Sequence, residues 1–162
     1  MELTHIDLES GDIDWFAADK DGHLGFFTTG GCGPVPRSVC ASNTDLKTVQ
    51  EFFWNHLPLT GEAIESTGWE TRARVDPSDK VACALSLKDF VAMARRGLFS
   101  FDADAWAKRP VPYFRIAMPS QAARIDSLPP HVHRIVERTI LESICFADAF
   151  EVRADALGEF FV

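Results

Sequence analysis

Apolar and aromatic residues crowd positions 13–18 and 23–28, and between them stands Asp19-Lys20-Asp21-Gly22, a cluster of turn formers. The pattern predicts an antiparallel hairpin. Ile13, Trp15 and Ala17 fall on one face of the first strand and Asp14, Phe16 and Ala18 on the other, so both faces carry aromatics and both need cover. On the return strand Gly25 leaves a gap for a neighbouring aromatic, Trp15 or Phe16. Gly22 suits a turn position with positive φ. The run Gly30-Gly31-Cys32-Gly33-Pro34-Val35-Pro36 then breaks regular structure before the first helix.

Ser42 and Asp45 form a capping-box-like start, and Leu46, Val49 and Phe53 follow at helical spacing, which predicts an amphipathic helix ending near His56 ahead of Pro58. Residues 59–80 are polar and interrupted by Gly61, Gly68 and Pro77, and read as a loop with short strands around 62–66 and 71–75. A second helix is expected from Ser86 as N-cap with Asp89 three positions on, Leu85 and Phe90 as a hydrophobic staple, and Arg95 and Arg96 in its last turn. Gly97 supplies its left-handed cap, with Leu98 returning to Met93. A strand is expected at 113–118, closed by Pro119, and Leu128-Pro129-Pro130 introduces a third helix with Val132, Ile135 and Val136 on its apolar face. Residues 141–146 read as strand rather than as more helix, and the apolar terminus from Leu157 to Val162 as docked.

Strands and helices follow one another without a strand–helix–strand rhythm. The expected fold is therefore α+β, one domain over 1–162, with a mostly antiparallel sheet and about three helices packed against it.

Composition narrows the functional classes. Hydrophobic residues are 46% and charged residues 25%, ordinary values for a folded protein. Lys and Arg number 16 against 24 Asp and Glu, a net charge of −8 that opposes a phosphate backbone and favours a basic protein partner. The acidic N-terminus lacks the features of a secretory signal, and no apolar run approaches the ~18 residues of a spanning helix, so a cytoplasmic protein without a membrane partner is expected. Cys32, Cys40, Cys83 and Cys145 are unevenly spaced and read as reduced, mostly buried thiols.

Candidate chemistry is sparse. Asp19-Lys20-Asp21-Gly22 has the middle of a calcium loop, but Ala17 and Thr28 occupy its first and twelfth positions, so a plain turn is expected and no metal. Gly30, Gly31 and Gly33 lack the lysine of a phosphate loop, and no cofactor is expected. Cys32 with His23 is the pairing that would make a cysteine nucleophile, with His131 and His133 as other histidines able to approach it. Asp12, Asp14, Asp102 and Asp104 would do acid–base work only where a pocket perturbs them. Phe52 and Trp54 follow the inner-face pattern poorly and are expected to be partly exposed; beside acids such as Asp102 and Asp104 they make a candidate binding surface.

Asp14-Trp15-Phe16-Ala17, Asp19, Asp21-Gly22, Gly25, Phe27-Thr28-Thr29-Gly30 and Pro34, with Arg96-Gly97-Leu98-Phe99-Ser100-Phe101-Asp102 later, resemble a group of small bacterial cytosolic proteins, some of them similar to the immunity proteins encoded beside polymorphic toxins. The resemblance covers under a third of the chain and carries no catalytic motif. It implies a non-enzymatic, toxin-neutralising protein-binding role. The alternatives are a small hydrolase or transferase using Cys32 with a histidine, and a domain that self-associates through exposed aromatics.

Overall fold

The alternation at the start of the chain becomes β1 (Asp14–Asp19) and β2 (Leu24–Thr28), paired antiparallel with Trp15 opposite Phe27 and Ala17 opposite Gly25. Gly22 closes the turn at a φ of 83°. The structure, a computed structural model, describes residues 1–4, 7–8 and 11–162. Within it follow β3 (Val35–Pro36), α1 (Arg37–Cys40), α2 (Asn43–Asn55), β4 (Ala63–Glu65), α3 (Trp69–Ala73), α4 (Lys80–Ala94), β5 (Phe99–Ala103) and β6 (Tyr113–Pro119). The chain ends with α5 (Pro130–Val136), β7 (Ile140–Leu141), β8 (Glu151–Val152) and β9 (Phe160–Phe161).

The main sheet runs β4-β6-β5-β2-β1-β7, with β8 also on β6, and is mostly antiparallel; only the β2–β5 and β1–β7 pairs are parallel. The fold is α+β, as the pattern predicts. Both faces of the hairpin are covered. On one, Trp15 stacks on Phe27 with centroids 4.1 Å apart, Phe27 on Phe101 at 4.8 Å, and Tyr113 meets Phe27 edge-on. The Trp15 indole N–H donates to the Tyr113 hydroxyl at 3.1 Å, which donates to the Pro34 carbonyl at 2.8 Å. On the other face α2 brings Phe53 onto Phe16, while α4 lies over β5 and β6 and brings Phe90 toward Phe26.

Several expectations need correction. Residues 71–75 are not a strand. Gly68, at a φ of 80°, lets the chain turn into α3, the buried Trp69 anchors that helix, and Arg74 at a φ of 55° ends it. The second helix begins two turns before Ser86: Asp79 is its N-cap, accepting from the Ala82 N–H at 3.0 Å. Val81 and Leu85 in those first turns are exposed rather than stapled inward, so no apolar face marked them as helix. The other end of α4 agrees with expectation, since Leu98 N–H reaches the Met93 carbonyl and Gly97 N–H that of Ala94. Residues 99–103 form a strand that no turn residue had announced. Of the candidate strand at 141–146 only Leu141 is in a strand, as the second residue of β7, and Phe146 N–H goes to the Asp19 carboxylate (2.8 Å) and its carbonyl to buried Arg115 (2.9 Å) instead of to a sheet neighbour. The three longer helices are the expected ones, and α1 and α3 are short additions. The C-terminus is docked through β9 on β3.

Gly25 is filled by Phe146 and Phe27, not by Trp15 or Phe16: a Cβ there would lie 2.8 Å from two Phe146 ring carbons and 2.9 Å from Phe27. All three contacts are ring atoms locked in the core, so the site has no room to yield. Gly25→Ala should therefore lower stability by about 1–3 kcal/mol, read as a reduced urea midpoint at unchanged m-value.

Candidate functional site

Sheet register places three polar residues in a row. Asp14 on β1 stands opposite Thr28 on β2, and Thr28 beside Asp102 on β5, so all three point to the face that α4 covers. Just before β1, Asp12 bends over the row: its Oδ1 accepts from Thr28, from Thr29 at 3.3 Å and from the Gly30 N–H at 2.7 Å. The glycine loop does meet an anion, and that anion is the chain's own Asp12. From the helix side, Ser86, Asp89, Phe90 and exposed Leu85 close a hollow of about 240 Å³ over these acids.

A second hollow of about 240 Å³ adjoins it, sharing Ser86, Phe90 and Asp102, and is walled by Trp69, Phe114 and Trp106. Trp106 is 61% exposed, with the Arg74 guanidinium 4.2 Å above its ring. The two hollows make one groove, acidic at one end and aromatic at the other, with Asp102 between. Other depressions are less suited: that between α2 and α5 holds about 20 Å³, and the larger one beside Lys108 and Arg109 is lined by exposed charges of both signs.

Burial of the carboxylates has an electrostatic cost. Desolvation, then the charge of Asp12, pushes the Asp14 carboxyl up to about 6, against the Trp54 indole N–H that donates to it at 3.3 Å. Asp102 is pushed up to about 7, chiefly by desolvation and then by Asp12, with only the Ala103 N–H holding it down among the first causes. No basic residue lines the acidic hollow.

The remaining candidates lie apart from this groove or are engaged elsewhere. Asp104 is paired with Arg72 at 2.8 Å, and Arg72 also holds Glu151 at 3.0 Å. Trp54 reaches the site through Asp14, whereas Phe52 packs on Phe53 and is not part of the groove lining. Both are half-buried. Cys32 and His23 are not brought together: Cys32 follows one end of β2 and donates to the Thr29 carbonyl, while His23 precedes the other end, 3.4 Å from Asp19. Burial pushes the Cys32 thiol up, and Arg109 only partly opposes it, the reverse of what a thiolate nucleophile needs. Of the four thiols only Cys40 is buried and the others are half-buried, a correction to the expected set. His131 is exposed, and His133 faces Glu137 at 3.4 Å. The Asp19 turn, with Asp21 and Cys145, offers ligand atoms within 4.8 Å of one another, yet the Asp19 carboxylate already accepts from the N–H groups of Asp21, His23 and Phe146.

No family model matches this chain, and no curated protein or solved structure is similar enough to it to count as a match. Among the described residues no helix is long and apolar enough to cross a membrane.

Sequence reasoning had Asp12, Asp14 and Asp102 as scattered acids; the pairing of β2 with β5 makes them neighbours. Leu85 and Trp106 were missed as rim residues. The signal for Trp106 is a large aromatic within the acidic, alanine-rich stretch at 102–108, whereas Leu85 sits in an apolar run and carries no such mark.

Two consequences follow from the site's chemistry. For Asp102 the folded value near 7 lies above the ordinary 3.8, so its protonated form stabilises the fold below about pH 4 and that stabilisation is lost as pH rises through 7; Asp14 behaves likewise through about 6. Asp102→Asn should thus raise stability by about 1–3 kcal/mol near pH 8 and by little near pH 4, measured as melting temperature against pH. Cys32 should alkylate with iodoacetamide near pH 7 no faster than free cysteine, followed by mass spectrometry; faster labelling would point to an activated thiol.

Proposed function

We propose that this chain is a non-enzymatic protein of the bacterial cytosol that binds a basic protein partner, in the manner of a toxin-neutralising immunity protein. The observation that carries the reading is a groove whose acidic hollow holds the half-buried carboxylates of Asp14 and Asp102 with no lining cation among the described residues, rimmed by the exposed apolar side chains of Leu85 and Trp106. Acids partly removed from water, in a hollow where no described cation lines them, favour a partner that brings positive charge, and exposed apolar atoms beside them supply contact area. The net charge of −8 adds long-range attraction for the same partner. A nucleophile reading loses support because burial pushes the Cys32 thiol up, away from the thiolate, and His23 lies at the other end of β2.

The test is joint expression with the product of the neighbouring gene. Co-purification through gel filtration, weakening as salt rises from about 0.1 M to about 0.5 M, and restored growth of cells producing that product are the expected results. Absence of both capture and restored growth would refute the proposal.

A further inference from the structure

The aromatic half of the groove and its acidic half are arranged for one kind of occupant. Asp14 and Asp102 sit on strands two apart with Thr28 between, so their backbones are about 10 Å from one another. Among the described residues, the one set of three ligand atoms close enough for an ion is Asp19, Asp21 and Cys145, away from the groove. Phe26 and Phe90 line the acidic hollow between the carboxylates and offer aromatic surface to a flat cation. Beyond Asp102 the lining turns to Trp69, Phe114 and Trp106, where Arg72 is held by Asp104 and Glu151 and the Arg74 guanidinium lies over one face of the Trp106 ring, leaving the rest of that exposed side chain for contact.

We infer, resting on the protein-binding reading above, that the groove receives an extended basic segment of the partner, which places an arginine between Asp14 and Asp102 and an apolar side chain against Trp106. A guanidinium is planar, carries five donors and is more weakly hydrated than an ammonium, so it can bridge separated carboxylates while lying on a ring. In an extended peptide residues two apart share a face about 7 Å apart, a span that serves both hollows. A second copy of this chain is a poor occupant, since each copy carries −8 and would bring acid to acid.

The charged groups facing the arginine are Asp12 and Asp14 from the β1 side, Asp102 from β5 and Asp89 from α4; α2 contributes the neutral Trp54 indole, and toward the aromatic end stand Arg72 with Asp104 and Glu151, and Arg74 on Trp106. A bound cation favours ionised carboxylates, so affinity rises with pH through the range in which Asp14 and Asp102 ionise.

The experiment titrates the isotope-labelled protein with the peptide acetyl-Gly-Leu-Ser-Arg-Gly-amide and with its citrulline counterpart, which keeps the shape of arginine and removes the charge. The arginine peptide is expected to shift the resonances of Asp14, the Trp54 indole, Ser86 and Asp102, and the citrulline peptide to bind about tenfold more weakly. Affinity should fall about tenfold from pH 8 to pH 5. Asp14→Asn with Asp102→Asn should cost about tenfold, and Trp106→Ala about threefold with the arginine shifts retained. Equal binding of both peptides, shifts confined to another face, or displacement of the peptide by millimolar calcium would overturn the inference. Capture of the neighbouring gene's product equally by wild type and by the double variant would remove the groove as the seat while protein binding stands. Arginine-dependent peptide binding without capture of that product would instead support the groove's chemistry and count against the proposed function.

Discussion

Stacking of Trp15 on Phe27 and of Phe27 on Phe101 joins the two strands of the hairpin to β5, some seventy residues further along the chain, and the rest of the molecule depends on it. Side-chain period along a strand is two, so once these rings are layered on one face the neighbouring residues have no choice of side. Trp15 inward on the aromatic face puts Asp14 and Phe16 on the helix face; Phe27 does the same for Phe26 and Thr28, and Phe101 for Ser100 and Asp102. The row of acids is thus a consequence of the aromatic column. A slip of one residue would bury three carboxyl or hydroxyl groups in an aromatic core, a cost of several kcal/mol that sets the register firmly.

The same column is closed from outside by a segment with no regular structure. Phe146 fills the space above Gly25 and is held at its N–H by Asp19 and at its carbonyl by Arg115, both nearly inaccessible. A charged side chain on each side of one residue satisfies the backbone that a sheet neighbour would otherwise pair. Asp19, which reads in the sequence as part of a surface turn or a calcium loop, is in this way a buried anchor.

On the helix face two unfavourable features meet. Asp14 and Asp102 have raised pKa values, near 6 and near 7, and the groove above them is walled by Leu85 on α4 and Trp106, both left in water. Unfavourable desolvation and unfavourable apolar exposure in one place are both relieved by the same event, the arrival of a cationic and partly apolar surface. That coincidence distinguishes this groove from the hollow near Lys108, where exposed charges of both signs are already solvated.

Local chemistry alone determined the hairpin and its turn, the capped start of α2 at Ser42, the Schellman end of α4 at Gly97 and the α+β class, because each rests on contacts between residues close in sequence. Where α4 begins was hidden by the outward-facing Val81 and Leu85, which remove the amphipathic period that marks a helix. Tertiary structure alone decided that β5 lies parallel to β2, that Phe146 plugs Gly25, and that acids about ninety residues apart in the chain face one hollow. Register between distant strands is set by which side chains can share a core, and that choice belongs to the folded whole rather than to any one segment.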